Sequence, residues 1–314
     1  MIIKDSISFK EKNERLREMD YKYKVLLFYK YINIPDPAEF RDEHFRFCEE
    51  NSILGRIYIA EEGINGTVSG EPGNIEKYKR HLRSFPFFSD IVFKEDNSRS
   101  HAFRKLIVRV KKEIVNSGLS GANPENGGKR LSPEELKSFY EENRDFVIID
   151  ARNDYESEIG RFKNAITPKL ETFRDWAKIP EIYPGLKNKT VITYCTGGIR
   201  CEKASAYLVE QGFRDVYQLD GGIVTYNKKF PDTYWEGAVF VFDERRIIEP
   251  NSSDELKHIA KCYYCGKPAS YYINCHNQEC NKKLVTCLDC KTENDYCCSD
   301  ECRNAGNKRK YYHG

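Results

Sequence analysis

Residues 190–205, Thr-Val-Ile-Thr-Tyr-Cys-Thr-Gly-Gly-Ile-Arg-Cys-Glu-Lys-Ala-Ser, leave this chain few ways to fold. The run from Thr190 to Tyr194 is β-branched and aromatic and reads as a buried strand. Ala204, Leu208 and Val209 then follow a helical spacing that Gly212 stops. A short loop joins the two, beginning at Cys195 and ending at Arg200. A strand feeding a loop feeding a helix aims the loop amides and the positive helix end at one point. Cys195 occupies that point. A thiolate there is stabilised by backbone N–H groups, by the helix dipole and by Arg200. A structural core cysteine needs neither the two glycines nor the arginine beside it, so the reactive reading is favoured.

Loop length narrows the chemistry. Thr196, Gly197, Gly198 and Ile199 lie between Cys195 and Arg200, which closes a six-residue ring. Phosphatases with a cysteine nucleophile need five intervening residues, because a phosphoryl group is wider than a sulfur atom. The spacing therefore favours sulfur or thiol chemistry. With Asp150-Ala-Arg152 and Glu156 upstream and Leu219-Asp-Gly221-Gly222 downstream, the loop resembles the rhodanese family. Arg152 and Glu156 are expected to form a supporting ion pair behind it. Cys201, in the first helical turn, is either a small inward-packed residue or a partner that resolves an oxidised Cys195.

The chain has 314 residues, enough for two or three domains, with a composition that is 39% hydrophobic and 32% charged, ordinary for a globular protein. A net charge of +2 does not by itself imply nucleic-acid binding. Residues 1–20 are charged without an apolar core and read as a solvated arm rather than a signal peptide. No run approaches the roughly 20 apolar residues that span a membrane. A cytoplasmic protein is expected.

Residues 21–115 alternate as β-α-β-β-α-β, the ferredoxin-like pattern. Strands are expected at 24–31, 56–60, 67–69, 91–93 and 106–110, with Glu61 to Gly66 as a connector. Asp36-Pro37 opens one helix, with Phe40, Phe47 and Cys48 on one face, and Ile75, Tyr78, Leu82 and Phe85 form the stripe of another. A Gly/Asn/Ser-rich linker at 116–130 separates this region from a second one at 131–248. There, strands at 146–150, 165–166, 191–194 and 216–219 alternate with helices, which argues for a parallel α/β sheet.

Region 249–314 differs in character. Nine of the 12 cysteines lie beyond Lys261. They fall as Cys262-x2-Cys265, Cys275-x4-Cys280, Cys287-x2-Cys290 and Cys298-x3-Cys302, with Cys297 beside the last pair. Four pairs suit two structural zinc ions, each held by four thiolates. Interleaved sites would join the first and third pairs, and the second and fourth. An iron–sulfur cluster or redox thiols would use the same residues. Loss of metal is expected to unfold 262–302 and spare the preceding domain.

The whole chain is similar to the rhodanese-domain tRNA uridine hydroxylases. The resemblance runs through Glu62-Gly63-Ile-Asn65-Gly66, the Cys195–Lys203 loop, Leu219-Asp-Gly221-Gly222-Ile, Trp235-Glu-Gly237-Ala-Val-Phe240-Val-Phe242-Asp243-Glu-Arg245 and the cysteine-rich tail. It implies oxygen-dependent 5-hydroxylation of the wobble uridine of tRNA, with O2 as co-substrate and an unidentified reductant. No flavin or dinucleotide fingerprint is apparent, and no histidine lies between His101 and His258. The rhodanese-like region thus lacks the histidines for an iron site or a Cys–His dyad of its own. Cys195 could attack C6 of uracil, making C5 electron-rich. It could instead carry a sulfenic acid or peroxide adduct.

Arg104, Lys105, Arg109, Lys111 and Lys112, with Lys79, Arg80 and Arg83, are the candidate phosphate contacts to tRNA. With 21 Tyr and 18 Phe, aromatics that could stack a base are too many to choose among. Two other functions fit the same residues: a sulfurtransferase carrying a persulfide on Cys195, and a non-catalytic binding module with a zinc platform.

Overall fold

The computed structural model describes residues 21–119, 121–231, 233–249 and 257–309, so the arm expected at 1–20 lies outside the described residues. The chain divides into two compact units between Val115 and Asn116.

The first unit runs β1 (Tyr23–Tyr31), α1 (Pro37–Glu50), β2 (Leu54–Ala60), β3 (Gly63–Gly70), α2 (Pro72–Ser84), β4 (Phe93–Ser98) and β5 (Leu106–Val110). The sheet order is β4-β1-β3-β2-β5, a ferredoxin-like sheet extended at one edge by β5, which pairs in parallel with β2. Leu26, Phe28, Ile57, Ile59, Ile64 and Val68 project from the sheet against Phe40 and Cys48 of α1 and Ile75, Tyr78 and Leu82 of α2. Asp36 caps α1 by accepting from the amides of Ala38 and Glu39 at 3.0 and 2.9 Å. The Glu61–Gly66 connector is shorter than its composition suggests, since strand resumes at Gly63. Its glycines serve packing rather than looping. A Cβ on Gly66 would sit 2.5 Å from the Phe28 ring, and Gly63 (φ +141°) passes so close to the Lys30 carbonyl that a Cβ would lie 2.0 Å from it.

In the second unit, β6 (Lys129–Leu131) takes its first two residues from the stretch read as linker. There follow α3 (Pro133–Glu141), β7 (Val147–Asp150), α4 (Asp154–Ile159), β8 (Gly160–Phe162), β9 (Thr190–Tyr194), α5 (Ile199–Glu210), β10 (Asp215–Leu219) and α6 (Gly222–Lys229). Ser132 and Glu135 close a capping box at the start of α3. The main sheet is all parallel in the order β6-β10-β9-β7, with Ile166 adding a single parallel bridge to Ile149. Trp176, fully buried, donates its Nε1–H to the Ala204 carbonyl at 3.1 Å and so docks α5. Cys195 follows β9 and Asp150 ends β7, so the carboxyl ends of two adjacent strands carry the loop and its neighbours.

Beyond α6, β11 (Trp235–Gly237) pairs with β8, and β12 (Val239–Phe240) pairs with β13 (Ile247–Ile248). Two small hairpins follow, β14 (Ala260–Lys261) with β15 (Pro268–Ala269) and β16 (Tyr271–Asn274) with β17 (Lys283–Thr286), then α7 (Leu288–Glu293) and α8 (Asp300–Asn304). The cysteine-rich region does not stand apart. Ile159, Ala238 and Phe240 share one core with Ala260, Cys262, Ala269, Tyr272, Val285 and Cys290. Backbones meet there too, because a Cβ on Gly160 would lie 1.9 Å from the Ala238 carbonyl oxygen.

Candidate active site and metal clusters

Cys195 sits where β9 ends, facing backbone groups from the starts of α5 and α6. Gly198, at φ +100°, is the N-cap of α5 and turns its amide to donate to Cys195 Sγ at 3.1 Å. The carbonyls of Cys195 and Thr196 accept from the amides of Ile223 and Val224 at 3.0 and 3.1 Å, the otherwise unpaired first-turn donors of α6. This close approach depends on Gly222. It holds φ +67°, and a Cβ there would lie 2.6 Å from the Cys195 oxygen and 2.7 Å from the Thr196 oxygen. Sequence reasoning flagged Gly221 and Gly222 without assigning them this work.

The charges behind the loop pair differently from the expectation. Arg200 grips Glu156 with both arms, Nη1 to Oε1 at 2.6 Å and Nη2 to Oε2 at 2.8 Å, with Thr196 Oγ1 3.4 Å from Glu156 Oε2. Arg152 turns instead to Asp150, Nε to Oδ1 at 2.9 Å and Nη2 to Oδ2 at 2.6 Å, and donates to the Gly160 carbonyl at 2.6 Å. The expected Arg152–Glu156 pair is replaced by these two. Asp150 is only two residues from Arg152, and α4 directs Glu156 toward the loop, where Arg200 is the cation at hand. Glu156 also accepts from the Asn153 amide at 3.2 Å, so the helix start and the ion pair share one carboxylate.

These groups decide the state of the thiol. Burial pushes Cys195 up. The Cys201 thiol, the Arg200 guanidinium and the amides of Arg200 and Cys201 together outweigh it and bring Cys195 down to about 6. Cys201 moves the other way, well above an ordinary thiol, through burial and its hydrogen bond to Cys195. Cys201 therefore donates its S–H to a Cys195 thiolate. Cys48 is the internal contrast: it too is 0% exposed, and burial without compensation pushes it up to about 12. Because the folded value of Cys195 lies below the ~8.5 of a free thiol, its ionisation favours the folded state fully above that pH. That contribution fades as pH falls through about 6. The loop interior adds no charge of its own, and Glu156 balances Arg200. Phe242 places a 48% exposed ring 5.7 Å from the Arg200 guanidinium.

With this geometry, comparison with known proteins is decisive. A UPF0176 acylphosphatase-like domain model matches residues 23–114, a rhodanese-like domain model 132–229 and a rhodanese C-terminal model 236–303. The chain is 46% identical over 307 residues to a tRNA uridine(34) hydroxylase of Bacillus velezensis, covering 94% of this chain and 92% of that one. It is 44% identical to a protein of the same name from Cytophaga hutchinsonii, covering 92% of each. A third, from Staphylococcus epidermidis, is 45% identical over 89% of this chain and 88% of its own. The chain belongs to the tRNA uridine(34) hydroxylase family.

In this member of the family, the tail cysteines gather into two groups. Cys262, Cys265, Cys287 and Cys290 form one, and Cys275, Cys280, Cys298 and Cys302 the other, the sulfurs of each lying within 4.8 Å of one another. Four mutually adjacent thiols are a donor set suited to a tetrahedral metal ion. The pairing is the interleaved one, and Cys297 is outside both sets. Cys297 is buried, and its carbonyl accepts from the Tyr264 hydroxyl at 2.6 Å.

In the ferredoxin-like unit, Arg104, Lys105, Arg109, Lys111 and Lys112 are all exposed, on and beside edge strand β5. Lys111 lies over the Tyr58 ring at 5.7 Å. The α2 residues differ. Lys79 is held by Glu76 at 2.7 Å and by Glu95, and Arg83 sits over the Phe93 ring at 5.1 Å, while Arg80 is exposed.

Gly222→Ala tests the loop geometry. The substitution forces a non-glycine residue into a left-handed conformation, costing ~1–2 kcal/mol, and drives a methyl into two carbonyl oxygens. We expect a lower melting temperature and slower alkylation of Cys195 at pH 7, as the loop leaves the amides that hold it. Wild-type stability and reactivity together would show that Gly222 is not what shapes the loop.

Proposed function

We propose that this chain hydroxylates carbon 5 of uridine 34 in tRNA, with O2 as co-substrate and Cys195 as the essential thiol. The observation that carries this reading is a buried cysteine that the Gly198 amide, Cys201 and Arg200 favour as its anion, in a loop whose cation is already paired with Glu156, within a chain 46% identical to a tRNA uridine(34) hydroxylase. Overall, the C5–H bond becomes C5–OH. One oxygen atom of O2 enters the base, and the other leaves as water with two protons and two electrons from a two-electron donor.

Cys195 adds to C6 of the uracil, and the electron pair of the C5=C6 bond moves toward C5 and the O4 carbonyl. The resulting enolate takes a hydroxyl from an oxygen species at the peroxide level, with hydroxide leaving. Loss of the C5 proton then expels the thiolate and restores the double bond. Before attack, Cys201 and the Gly198 amide hold the sulfur as an anion. The neutral loop interior suits a planar, uncharged base better than it suits thiosulfate, a dianion that would meet only an arginine already paired with Glu156. A sulfurtransferase reading retains the support of the rhodanese-like match.

Zinc is the metal we assign to each four-thiol cluster. Four thiolates leave no open coordination position, so both ions are structural. The exposed basic residues around β5 are the proposed contacts to the tRNA backbone, and the working compartment is the cytoplasm.

The test is a reconstitution. tRNA from cells lacking the gene, supplied with wild-type protein or with Cys195→Ala, should acquire 5-hydroxyuridine by nucleoside mass spectrometry only with the wild type. Product from the alanine variant would remove Cys195 from the chemistry. Rapid sulfur transfer from thiosulfate to cyanide, with no tRNA binding, would favour the sulfurtransferase. Reversing the charges of Lys105, Lys111 and Lys112 together should weaken tRNA binding several-fold. It should also reduce the salt slope by about 0.7–0.9 per lost phosphate contact. An unchanged affinity would place the RNA surface elsewhere. Elemental analysis should find about two zinc ions per chain, one for each four-thiolate site; iron, or no metal, would overturn the zinc assignment.

A further inference from the structure

α4 is only six residues long, yet it faces two ways. Glu156 points to the loop and grips Arg200. Tyr155, beside it, points to the cysteine-rich region. Its ring stacks on Tyr272 of β16 at 4.9 Å and 28°, and meets Phe240 edge-on at 5.3 Å. Lys283 of β17 places its ammonium 3.8 Å from the Tyr155 ring centroid. Ile159, at the end of the same helix, lies in one core with Cys262 and Cys290, two members of the first four-thiol cluster.

The elements that hold Tyr155 are those the first cluster ties together. β17 runs directly into Cys287, and the Tyr263 amide, between Cys262 and Cys265, donates to the Val285 carbonyl of β17 at 2.8 Å. A metal ion on the four sulfurs fixes the 262–265 turn to the end of β17, and β17 fixes β16 and Tyr272 through their ladder. Without it, this small hairpin pair has little core of its own and relies on the surface it shares with α4.

We propose that Tyr155 is a positioning residue that makes the reactive thiol dependent on the first four-cysteine metal cluster, acting through Glu156 and Arg200. When the hairpin is in place, Tyr155 is held by Tyr272, Phe240 and Lys283, and α4 presents Glu156 at 2.6 and 2.8 Å from the Arg200 nitrogens. When the hairpin loosens, the helix shifts, the two-pronged grip is lost and Arg200 leaves its place beside Cys195. The groups that act on the thiol are Cys201 and Arg200 directly, with Glu156 and Asp150 acting through Arg200. Of the two carboxylates, only Glu156 belongs to the helix that Tyr155 anchors. Burial of Cys195 is then opposed by Cys201 and the loop amides alone, and the thiolate fraction at neutral pH falls. On this proposal, metal loss reaches the active loop even where the rest of the rhodanese-like domain stays folded.

The test uses full-length, metal-loaded protein and reads the pH dependence of iodoacetamide alkylation at the Cys195 peptide by mass spectrometry. This readout is a thiol rate, so it stands or falls independently of what Cys195 acts on. The wild type should give a midpoint near 6. Tyr155→Ala, and wild type stripped with a chelator, should both shift the midpoint upward by about a unit or more, roughly a tenfold loss of thiolate below it. Tyr155→Phe, which keeps the stack, should stay near the wild type. Circular dichroism and metal content of Tyr155→Ala separate this effect from failure to fold; if that variant unfolds, the chelation arm alone decides. A midpoint unchanged after chelation would overturn the link to the metal. One unchanged in a folded Tyr155→Ala would overturn the role of the residue. A downward shift in either would mean that Arg200 stays while Glu156 leaves, and would also overturn the proposal.

Discussion

The bidentate pair between Arg200 and Glu156 is the interaction on which the rest of the site depends. A buried guanidinium cannot shed its proton, and an unpaired buried ion costs several kcal/mol. Arg200 is 7% exposed, so it must be matched where it sits, and Glu156 matches it atom for atom. The pair then does two things at once. It keeps a cation close enough to lower the Cys195 thiol, and it cancels most of that cation's field for anything further away. The consequence is a thiol shifted toward its anion beside a cation whose charge is already matched.

The rest of the active loop is backbone. Amides from the starts of α5 and α6 fix the sulfur and the carbonyls around it, and two left-handed glycines, Gly198 and Gly222, let them approach. These backbone donors have no side-chain rotamers to lose. The carboxylate that holds Arg200, Glu156, is carried by a short helix that also packs against the cysteine-rich region.

Much of this was legible in the chain. The strand–loop–helix around Cys195 follows from the β-branched run, the glycines and the helical spacing after Arg200, and two four-cysteine sites follow from the four pairs, whereas which pairs share a site is set by the fold and not by the spacing. What escaped has physical reasons. The partners of Arg152 and Glu156 depend on how the chain bends after β7, which residue types do not encode; Asp150, two positions away, outcompeted the expected Glu156. Gly63 and Gly66 read as loop because glycine favours turns, whereas here they sit in a strand that Phe28 and the Lys30 carbonyl crowd. The first residues of β6 were hidden by the polar, glycine-rich stretch before them. The docking of the tail on α4 rests on Tyr155 and Tyr272, two tyrosines among 21, and no periodicity distinguishes them.

The central claim is that fixed amides, the Cys201 thiol and Arg200 together outweigh complete burial and hold Cys195 as a thiolate. It is tested most directly by titrating the thiolate ultraviolet absorbance of the folded protein and subtracting the same titration of Cys195→Ser. The account predicts a one-proton transition for Cys195 centred near 6. A transition at or above the ~8.5 of a free thiol would contradict it, because burial would then have won and the loop would hold no nucleophile at neutral pH.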